Sequence, residues 1–497
     1  MNNQKIKNVV IVGGGTAGWL SASLLSKVLG QTINITLVES DKIGTIGVGE
    51  ATIPPIVNFN AAVGLDEKEF LRATKATMKL GIQFENWGQQ GYSYMHAFGG
   101  VGKNFPFCDF HNFWLKAKQH GDNTDFWQYS LNYQAAKHNK FSKINQIPGT
   151  NLPGITYAYH FDAGLYAKHL RQHCEKQGVR RIEGTIDHVN INDQTRNISN
   201  VQLDTGEKIN GDLFIDCTGL AALLIEQTLN TGYEDWSHWL PCDRAIAVPS
   251  EATTPNVPYT RSIAHDSGWQ WRIPLQHRTG NGLVYSSKHM SDEQAKKLLL
   301  ENLDSAPLGE PRTIPFRTGR RRKQWHKNVV AIGLSSGFFE PLESTNIHLI
   351  QSAVTRLIKH FPHDGIKIEE INEFNRQSRV ESEQMRDFII LHYKQTQRND
   401  SDFWRACQSM EIPESLAKKM ALFSESAKTF REQDELFTEI AWQQVMIGQG
   451  LIPKDYHPFV DSLSDEQLKD LLASLKTLID KTVDKMPSHD AFIASLS

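Results

Sequence analysis

The pattern of hydrophobic and polar positions changes along the chain. At the start, the apolar run "NVVIV" leads into three glycines, "TAGWLSASLLSKVLG" repeats apolar residues at helical spacing up to Gly30, and "INITLVES" alternates with a period of two. This order predicts a strand, a helix and a second strand, a βαβ unit typical of a parallel sheet. Strand patterns such as "GWQWRIPLQ" dominate from about residue 260 to 335, and helical spacing follows beyond about residue 347.

Two helices are predicted together with their ends. The segment "DAGLYAKHLRQHCEKQG" has Asp162 near its start and Gly178 at its end. Later, Ser464 and Gln467 form a capping-box pattern before leucines at helical spacing, and Pro487 ends that helix. The sequence therefore predicts an α/β fold whose last part is mostly helical.

Composition and charge exclude several classes of function. The 497 residues include 53 basic and 56 acidic side chains, and a net charge of −3 gives no field for nucleic acid or an anionic membrane. Five scattered cysteines without a CxxC pattern predict free thiols in a reducing compartment. The sequence shows no apolar stretch of about 18 residues, which predicts a cytoplasmic protein. It shows no HExxH, no metal-spaced Cys/His set and no GxSxG, so we expect no metal.

The first predicted strand runs into Gly13-x-Gly15-x-x-Gly18, the spacing of a dinucleotide-binding turn. Gly13 permits the tight turn, Gly15 lets a pyrophosphate approach the backbone, and Gly18 lets helix and strand pack closely. Glu39 ends the second strand 21 residues after Gly18, where a carboxylate can accept from ribose hydroxyls. A glycine-rich turn without a ligand is the alternative. The predicted contacts are Gly13, Gly14, Gly15, Thr16, Ala17, Gly18 and Glu39.

Two later segments favour FAD over NAD. "DLFIDCTGL" is an apolar strand ending in Asp216-x-x-Gly219, and it resembles the late flavin-contact motif of flavoproteins with two dinucleotide folds. "AIGLSSGFF" resembles their other late strand, whose loop after Gly333 reaches the flavin through Leu334. Three other glycine-rich segments lack a third glycine at the right spacing, so the sequence shows no evident NAD(P)H site. We therefore expect the electrons to come from another protein, a separate NAD(P)H-dependent flavin reductase.

Four further segments complete a family pattern. They are "GWQWRIP" at 268–274, "GTIGVGEATIP" at 44–54, "KATMKLG" at 75–81 and "EPLEST" at 340–345. With the glycine turn they resemble the flavin-dependent halogenases of the tryptophan-halogenase family, from about residue 8 to about residue 458. We expect an FAD-binding, Rossmann-like GxGxxG module merged with a β-sheet substrate layer over residues 1–355, and a helical region at 356–497 that closes the substrate site.

The resemblance implies a reaction in which FADH2 and O2 oxidise bromide or chloride to hypohalous acid. Trp269 and Trp271 would share one face of a strand and form a barrier between the flavin and the organic substrate; a plain core strand is the alternative. Hypohalous acid would pass through a tunnel to Lys79, the catalytic lysine by resemblance, whose ammonium would hydrogen-bond it or form a haloamine. The local pattern alone predicts a surface lysine at this position.

The segment "EPLEST" carries further implied roles. Glu343 resembles the active-site glutamate that stabilises the cationic ring intermediate and helps to remove its proton, although a first-turn helix charge is the alternative. Ser344 resembles the residue that links the flavin and substrate sites, and Thr345 and Asn346 lie where the family binds halide. Many relatives have glycine instead of Asn346, and asparagine is the next most tolerant residue if the position requires a positive φ. The resemblance adds further FAD contacts at Gly49, Glu50, Ala51, Asp216, Gly219, Leu334 and Ile347.

Three residues resemble the family's substrate pocket. His96 and Phe98 match aromatic residues that sandwich an indole, and Trp442 resembles the aromatic residue contributed near the C-terminus. A structural histidine is the alternative for His96. The sequence shows no Tyr-rich segment that would grip the charged groups of free tryptophan. We therefore expect an indole-type substrate rather than tryptophan itself, with bromide used as readily as chloride.

Other interpretations stay open at this point. A FAD-dependent aromatic monooxygenase (a hydroxylase) is the alternative enzyme, and a flavin-binding or sensor protein is the non-enzymatic alternative. The basic run from Arg317 to Lys327 predicts a solvated loop, with docking of a reductase or an acidic carrier as the alternative. We expect a small aromatic substrate and no nucleic-acid or membrane partner, and a homodimer is left open.

Overall fold

The computed structural model describes residues 5–43 and 50–496, so the predicted flavin contact Gly49 lies outside the described residues. The strands are β1 Asn8–Val12, β2 Asn34–Glu39, β3 Glu50–Ala51, β4 Thr77–Lys79, β5 Gly81–Glu85, β6 Ser93–Ala97, β7 Ala158–Phe161, β8 Arg180–Glu183, β9 Ile186–Ile191, β10 Ile198–Leu203, β11 Lys208–Asn210, β12 Leu213–Asp216, β13 Tyr233–Asp235, β14 Arg244–Glu251, β15 Thr260–His265, β16 Gly268–Pro274, β17 Arg278–Tyr285, β18 Arg312–Pro315, β19 Gly319–Arg321, β20 Trp325–His326, β21 Val329–Ala331 and β22 Gly337–Phe338.

Helices occur along the described chain and dominate its last third, as predicted. They are α1 Thr16–Leu29, α2 Pro55–Val63, α3 Glu67–Ala73, α4 Phe110–Gln119, α5 Leu131–Lys137, α6 Ala163–Lys176, α7 Asp292–Glu301, α8 Asn346–Lys359, α9 Ile368–Lys394, α10 Asp402–Ser409, α11 Glu414–Ser426, α12 Glu439–Gly448, α13 Asp465–Asp484 and α14 His489–Ala494. From α8 onward the described chain has helices and short turns, so the predicted change to helix is confirmed.

The chain divides into two compact units, each built from three segments. The first unit is Met1–Ala76, Phe161–His238 and Pro315–Glu383, and the second is Thr77–His160, Trp239–Ile314 and Gln384–Ser497. The predicted boundary between residues 355 and 356 lies inside α8 and within the segment Pro315–Glu383 of the first unit. It therefore does not coincide with a boundary between these units. As a division of roles along the chain it stays a prediction.

The first unit contains a six-stranded sheet in the order β20-β21-β12-β1-β2-β8. Strand β1 pairs in parallel with β2 on one side and with β12 on the other, which confirms the predicted βαβ unit. Strands β8 and β21 extend the parallel set, and β20 joins β21 antiparallel. Parallel strands are buried on both faces, and β1 is accordingly buried from Val9 to Val12.

The second unit contains a seven-stranded sheet in the order β18-β14-β17-β16-β15-β5-β6. Strands β14, β17, β16 and β15 form an antiparallel series, whereas β15 and β5 are parallel. The short strand β4 pairs antiparallel with β7, with Thr77 opposite His160 and Lys79 opposite Ala158. Helix α12 packs on β6. The predicted Trp-x-Trp strand, β16, is an inner strand of the seven-stranded sheet and lies between β17 and β15.

The predicted helix ends are confirmed by their hydrogen bonds. Asp162 caps α6, with its Oδ1 accepting from the Leu165 backbone N–H at 3.0 Å, and Gly178 lies just past the helix end with φ 91°. At α13, Ser464 and Gln467 exchange the two bonds of a capping box, at 2.9 and 3.2 Å. These interactions are local in sequence, which is why the sequence predicts them.

The basic run is not the solvated loop that the sequence predicts. Arg320 and Arg321 lie in β19 and are buried. Their guanidinium groups contact the Glu234 carboxylate at 2.5 Å and the Glu226 carboxylate at 3.0 Å. Buried charges require such partners. The prediction is therefore wrong for these two residues, and a docking test by charge reversal belongs at the exposed Arg322 instead.

Two searches of the described residues bear on the expected partners. Within 5–43 and 50–496, no helix is long and apolar enough to cross a membrane. The same residues contain no group of three or more His, Cys, Asp or Glu side chains that could hold a metal ion. The five cysteines are buried free thiols, as predicted.

Candidate flavin and substrate sites

The glycine turn of the first unit has the space and the crowding that a dinucleotide site requires. Gly13 has φ 109°, and a Cβ there would lie 2.3 Å from the Cys217 carbonyl oxygen. A Cβ on Gly18 would lie 1.9 Å from the Gly13 carbonyl oxygen, whereas a Cβ on Gly15 would meet nothing within 4 Å. Gly15 directly precedes α1. The open side of the turn is thus where a pyrophosphate would approach the helix N-terminus.

Glu39 extends this turn at the end of β2. Its Oε1 accepts from Arg181 Nε at 2.6 Å, and Arg171 lies 3.8 Å away. A Cβ added to Gly14 would be 1.4 Å from Glu39 Oε2, so this oxygen lies directly against the glycine turn. The arginine holds the carboxylate in a position that suits the predicted contact with ribose hydroxyls.

The carboxylate of Asp216, a predicted flavin contact, accepts hydrogen bonds from other groups of the chain. Its Oδ1 accepts from the backbone and the hydroxyl of Thr218, at 3.0 and 2.6 Å. Its Oδ2 accepts from the backbone N–H groups of Leu224 and Ile225, both at 2.8 Å. The buried carboxylate therefore braces the loop that carries Gly219, which has φ 67°. The direct flavin contact stays a prediction.

The second late loop lies against the glycine turn. Gly333 has φ 78°, and a Cβ there would be 2.8 Å from Ala17 Cβ at the start of α1. The Ser335 hydroxyl donates to the Asp216 backbone oxygen at 2.5 Å. The loop that carries Leu334 therefore packs closely on the start of α1 and is hydrogen-bonded to the end of β12, and its flavin contact stays a prediction.

Glu50 and Ala51 form β3, directly after residues 44–49, which the structure does not describe. Burial and the nearby Asp162 carboxylate raise the pKa of Glu50 to about 7. A carboxyl group with this pKa carries its proton in a large share of molecules near neutral pH, so it can donate as well as accept a hydrogen bond. Its predicted role as a flavin contact stays a prediction.

The segment 340–347 makes a sharp, buried turn into α8. Glu343 is fully buried at the end of the short helix Pro341–Glu343, and Ser344 follows with φ 59°. Asn346 is the first residue of α8, so the left-handed backbone occurs at Ser344 and not at Asn346. Thr345 is also fully buried, and its Oγ1 has no hydrogen-bond partner among the described residues. An unpaired buried hydroxyl at this turn suits a halide.

Lys79 lies in the second unit and is fully buried, so the surface position that its local pattern predicts is wrong. Its Nζ lies 5.5 Å from the centre of the Phe98 ring. Gly81, two residues after Lys79, has no room for a side chain, because a Cβ there would be 2.6 Å from the His96 carbonyl oxygen. Strand β5 thereby brings Lys79, Phe98 and His96 into one neighbourhood.

The predicted substrate aromatics of this unit are linked by Phe388. The His96 ring lies 5.6 Å from the Phe388 ring, and the Trp442 ring meets Phe388 edge-on at 4.8 Å. The Gln444 side chain bonds both backbone groups of Ala97, at 3.1 and 3.0 Å, and so attaches α12 to β6. His96 and Trp442 therefore both contact Phe388, and their role in holding the substrate stays a prediction.

Trp442 is held by an ion pair that the sequence does not reveal. Its indole N–H donates to Glu435 Oε1 at 2.7 Å. Lys419 Nζ lies 2.9 Å from both oxygens of that carboxylate and 4.2 Å from the Trp442 ring centre. Glu435 is almost fully buried. The pair therefore fixes both the edge and one face of the indole.

Trp269 and Trp271 share one face of β16, as predicted, with ring centres 6.1 Å apart. A Cβ on Gly282, opposite in β17, would lie 2.0 Å from Trp271 Cζ2. The indole therefore lies flat over a glycine, and both tryptophans are buried. Their role as a barrier beside the flavin stays a prediction.

Comparison with known proteins identifies the family of this chain. A sequence profile of the family described as tryptophan halogenase matches residues 8–465. The chain belongs to the tryptophan halogenase family. The tryptophan 6-halogenase of Streptomyces toxytricini is 33% identical and is covered to 99%, with 100% of this chain aligned. Flavin-dependent halogenases from Xanthomonas campestris and Brevundimonas sp. BAL3 are 47% and 44% identical, each with a TM-score of 0.96 and 99% of both chains covered.

The chain is therefore a flavin-dependent halogenase by family, and the α/β fold class is confirmed. The residues that would hold FAD in this halogenase are the glycine turn, Glu39 and the loops at Gly219 and Leu334, all of the first unit. The residues that sequence reasoning missed are Glu435 and Lys419 behind Trp442, Phe388 between the aromatic rings, and the histidines His160 and His489 near Lys79. Phe388, His160 and His489 reach their partners from distant parts of the chain, so no local spacing predicts them. Glu435 is 7 residues from Trp442 and 16 from Lys419, but these spacings cross a turn, so no helix or strand period predicts them.

Proposed function

We propose that the chain is a FADH2-dependent halogenase that attaches bromine or chlorine to an electron-rich aromatic ring, of an indole-type compound or of tryptophan. The observation that carries the proposal is the environment of Lys79. Lysine is rarely fully buried, yet the Lys79 side chain is enclosed, with its Nζ 5.5 Å from the Phe98 ring centre. A desolvated ammonium in aromatic surroundings supports a chemical role better than a packing role.

The first unit supplies what the flavin and the halide require in this proposal. Reduced FAD with O2 would supply the oxidising equivalent that converts halide into hypohalous acid. The turn at Ser344–Asn346 would hold the halide, and the buried Thr345 Oγ1 would donate to it. The glycine turn and Glu39 would keep the dinucleotide in place.

Lys79 and its neighbours direct the electrophile in this proposal. The Lys79 ammonium donates a hydrogen bond to hypohalous acid; alternatively, after losing a proton, the neutral amine takes the halogen from hypohalous acid to form a haloamine and releases water. In either form Lys79 aims the halogen at one ring carbon. His96, Phe98 and Trp442 hold the ring and exclude water. Glu343 stabilises the cationic ring intermediate and accepts its proton. The passage by which hypohalous acid reaches Lys79 stays a prediction.

A cavity of about 670 Å³ within the second unit has mostly apolar walls. Its walls include Val101, Leu152, Ile440, Leu471, Leu475 and Leu478, together with the polar Lys103, Asn104 and Asn151. Ile440 is two residues before Trp442, and Gly100 of the same wall is two residues after Phe98. The mostly apolar walls, together with the lack of a Tyr-rich segment in the sequence, support an indole rather than tryptophan itself. The resemblance favours bromide alongside chloride.

The test is product analysis with bromide or chloride, a flavin reductase and a panel of indoles and tryptophan. The wild-type protein is expected to give monohalogenated products. Lys79→Met is expected to lower the rate of ring halogenation by about 100-fold or more while FADH2 oxidation continues. A hydroxylase would give oxygenated products and depend little on Lys79, and a flavin sensor would give no product.

Lys116 supplies the matched control, because it is a second buried lysine of the same unit. Its ammonium is satisfied by the Asp461 carboxylate at 3.2 Å and by two backbone oxygens. Lys116→Met is expected to lower stability and to leave the rate per folded molecule unchanged. If Lys79→Met halogenates as fast as Lys116→Met, the proposed role of Lys79 is wrong.

The remaining parts of the proposal concern supply. A separate NAD(P)H-dependent reductase delivers FADH2, and the protein works in the cytoplasm. With chemically reduced FAD in place of the reductase, halogenation is expected to continue at a rate set by the FADH2 concentration. A strict requirement for one reductase protein would contradict free delivery.

A further inference from the structure

The strand that carries Lys79 is only three residues long. Thr77, Met78 and Lys79 are all fully buried, and β4 pairs with β7 along one edge. A three-residue pairing gives few ladder bonds, so it does not by itself fix a strand. Two histidines of the second unit, His160 and His489, also form hydrogen bonds to this strand.

His489 occupies the edge of β4 away from β7. The Met78 backbone N–H donates to His489 Nε2 at 3.1 Å, and His489 Nδ1 lies 2.8 Å from the Asn256 backbone oxygen. A backbone N–H only donates and a carbonyl oxygen only accepts. The ring must therefore accept at Nε2 and donate at Nδ1, which defines one neutral tautomer.

His160 holds the same strand through Thr77. The Thr77 hydroxyl donates to the Pro274 backbone oxygen at 2.6 Å, so its oxygen accepts from His160 Nδ1 at 3.1 Å. His160 Nε2 lies 2.9 Å from the Thr260 hydroxyl, which can donate to a neutral ring or accept from a charged one. This series of bonds connects β4 to Pro274 at the end of the Trp-x-Trp strand.

The surroundings keep both rings neutral. Burial, together with the nearby Lys79 ammonium and His489, lowers the pKa of His160 well below its ordinary value. Burial also lowers the pKa of His489, against the opposing effects of the Asn256 carbonyl and the Asp490 carboxylate. Two uncharged rings can therefore lie near a buried ammonium without repelling it.

We propose that His160 and His489 are positioning residues for Lys79: together they clamp strand β4 so that the lysine ammonium meets the electrophile in one geometry. This inference rests on the proposed function of Lys79. His489 lies beyond residue 465, where the match to the family profile ends. The clamp is thus completed by a segment, Ser488 to Ala494, that the family profile does not include.

The reason to expect an effect on rate is geometric. Lysine has a long, flexible side chain, so the position of its ammonium depends on how firmly its backbone is held. A misplacement of about 1 Å in a catalytic group can lower a rate by about 100-fold. Loosening β4 is expected to lower kcat for ring halogenation, to leave the KM for the indole nearly unchanged, and to let more hypohalous acid escape.

Two changes test the clamp from its two sides. Thr77→Val removes the hydroxyl that joins His160 to Pro274 and keeps the shape of the side chain, whereas Thr77→Ser keeps the hydroxyl. His489→Phe removes both ring bonds. For indole bromination by Thr77→Val and His489→Phe, we expect kcat per folded molecule to fall by about 10- to 100-fold. Hypobromous acid captured by an added trap should rise, FADH2 oxidation should be unchanged, and Thr77→Ser should stay within about twofold of wild type.

The control is His111→Phe. His111 is equally buried, and its Nε2 lies 2.6 Å from the Ala427 backbone oxygen, but it lies in α4 rather than beside β4. His111→Phe is expected to lower the melting temperature without changing kcat per folded molecule or the escape of hypobromous acid. If it lowers kcat as much as His489→Phe does, the role of His489 is merely structural and the inference is overturned.

Lys79→Met, measured in parallel, distinguishes a failure of the proposed function of Lys79 from a failure of the proposed clamp. If Lys79→Met still brominates indole at the wild-type rate, the proposed function of Lys79 fails, and the clamp has nothing to position. If Lys79→Met is inactive while Thr77→Val and His489→Phe keep the wild-type kcat, the clamp alone is overturned. Should His489→Phe not fold, the kcat ratio of Thr77→Val to Thr77→Ser decides the inference.

Discussion

Two glycines of the first turn, three positions apart, meet opposite surroundings. Gly15 has φ −72°, which any residue adopts, and nothing lies within 4 Å of an added Cβ. We expect Gly15→Ala to leave the melting temperature without flavin unchanged or slightly raised. We expect it to weaken FAD binding by about tenfold or more, because the methyl group would occupy the pyrophosphate position. Thermal unfolding without flavin and equilibrium titration with FAD measure the two effects.

Gly18→Ala is the matched comparison. Its Cβ would lie 1.9 Å from the Gly13 carbonyl oxygen, a backbone atom that cannot rotate away. We expect the free energy of unfolding to fall by about 1–3 kcal/mol, even without flavin. Wild-type FAD affinity in a folded Gly15→Ala protein would show that the pyrophosphate does not approach this turn.

Single residues also show what sequence reasoning reaches and what it misses. The glycine turn between β1 and α1 and the position of Glu39 at the end of β2 were predictable because the whole pattern lies within 40 residues. Lys79 is different: its neighbours Met78 and Leu80 give a pattern that predicts a surface position, and only the resemblance predicts a catalytic role. Its burial depends on groups such as His160, which pairs with β4 from 81 residues further along the chain. Local periodicity cannot contain that information.

Among the helices, α11 and α12 are joined by one buried ion pair behind Trp442. Lys419 belongs to α11, Trp442 belongs to α12, and Glu435 lies in the connection between them. We expect Glu435→Gln to lower the free energy of unfolding by about 3–5 kcal/mol, because the Lys419 ammonium would lose its charged partner. The KM for indole is expected to rise, because the Trp442 indole N–H would have a neutral amide oxygen instead of a carboxylate as its acceptor, and that bond would be weaker.

A double-mutant cycle provides the control for this prediction. Lys419→Met removes the other charge, and Lys419→Met with Glu435→Gln leaves no buried charge at all. The double variant is expected to be more stable than Glu435→Gln alone, since removing both partners is less costly than leaving one unpaired. Chemical denaturation measures all four proteins. Strictly additive losses would mean that the pair does not couple.

Elements with local signals were predictable, and elements defined by their partners were not. Strand β1, helix α1 and strand β2 follow from periodicity, and α6 and α13 follow from their capping residues. Strand β4 has only three residues, and it is held partly by the side chains of His160 and His489, which come from distant parts of the chain. The turn before α8 has its positive φ at Ser344, a residue type that does not signal one.

For the whole chain, buried histidines are one source of acid sensitivity near neutral pH, and Glu50, whose pKa is raised to about 7, acts in the opposite direction. Burial lowers the pKa of His111, His160, His348 and His489. The opposing carboxylates are Asp109 at His111, Glu381 at His348 and Asp490 at His489, and the neighbouring cations are Lys79 at His160 and Arg356 at His348. In each case burial is the largest effect, so the folded protein binds these protons more weakly than the unfolded chain does.

The sign of the pH dependence follows from that difference. A group whose pKa is lowered by folding takes up its proton first in the unfolded chain. Stability is therefore complete above the ordinary histidine value of about 6.5 and falls as the pH drops from there toward the lowered values. Each such histidine contributes a slope of up to about 1.4 kcal/mol per pH unit. We expect the free energy of unfolding to decrease between pH 7 and pH 5, and chemical denaturation at a series of pH values measures it.

His489→Gln tests the origin of this slope, because glutamine can accept from the Met78 backbone N–H but does not titrate. The variant is expected to lose less stability than the wild type between pH 7 and pH 5, by up to about 1.4 kcal/mol per pH unit. His188→Gln, at an exposed position of β9, is the control and should keep the wild-type slope. The slope of kcat for indole bromination should become shallower in the same variant, because protonating His489 releases the strand that carries Lys79. Identical stability slopes for wild type and His489→Gln would show that acid acts on the fold through other groups.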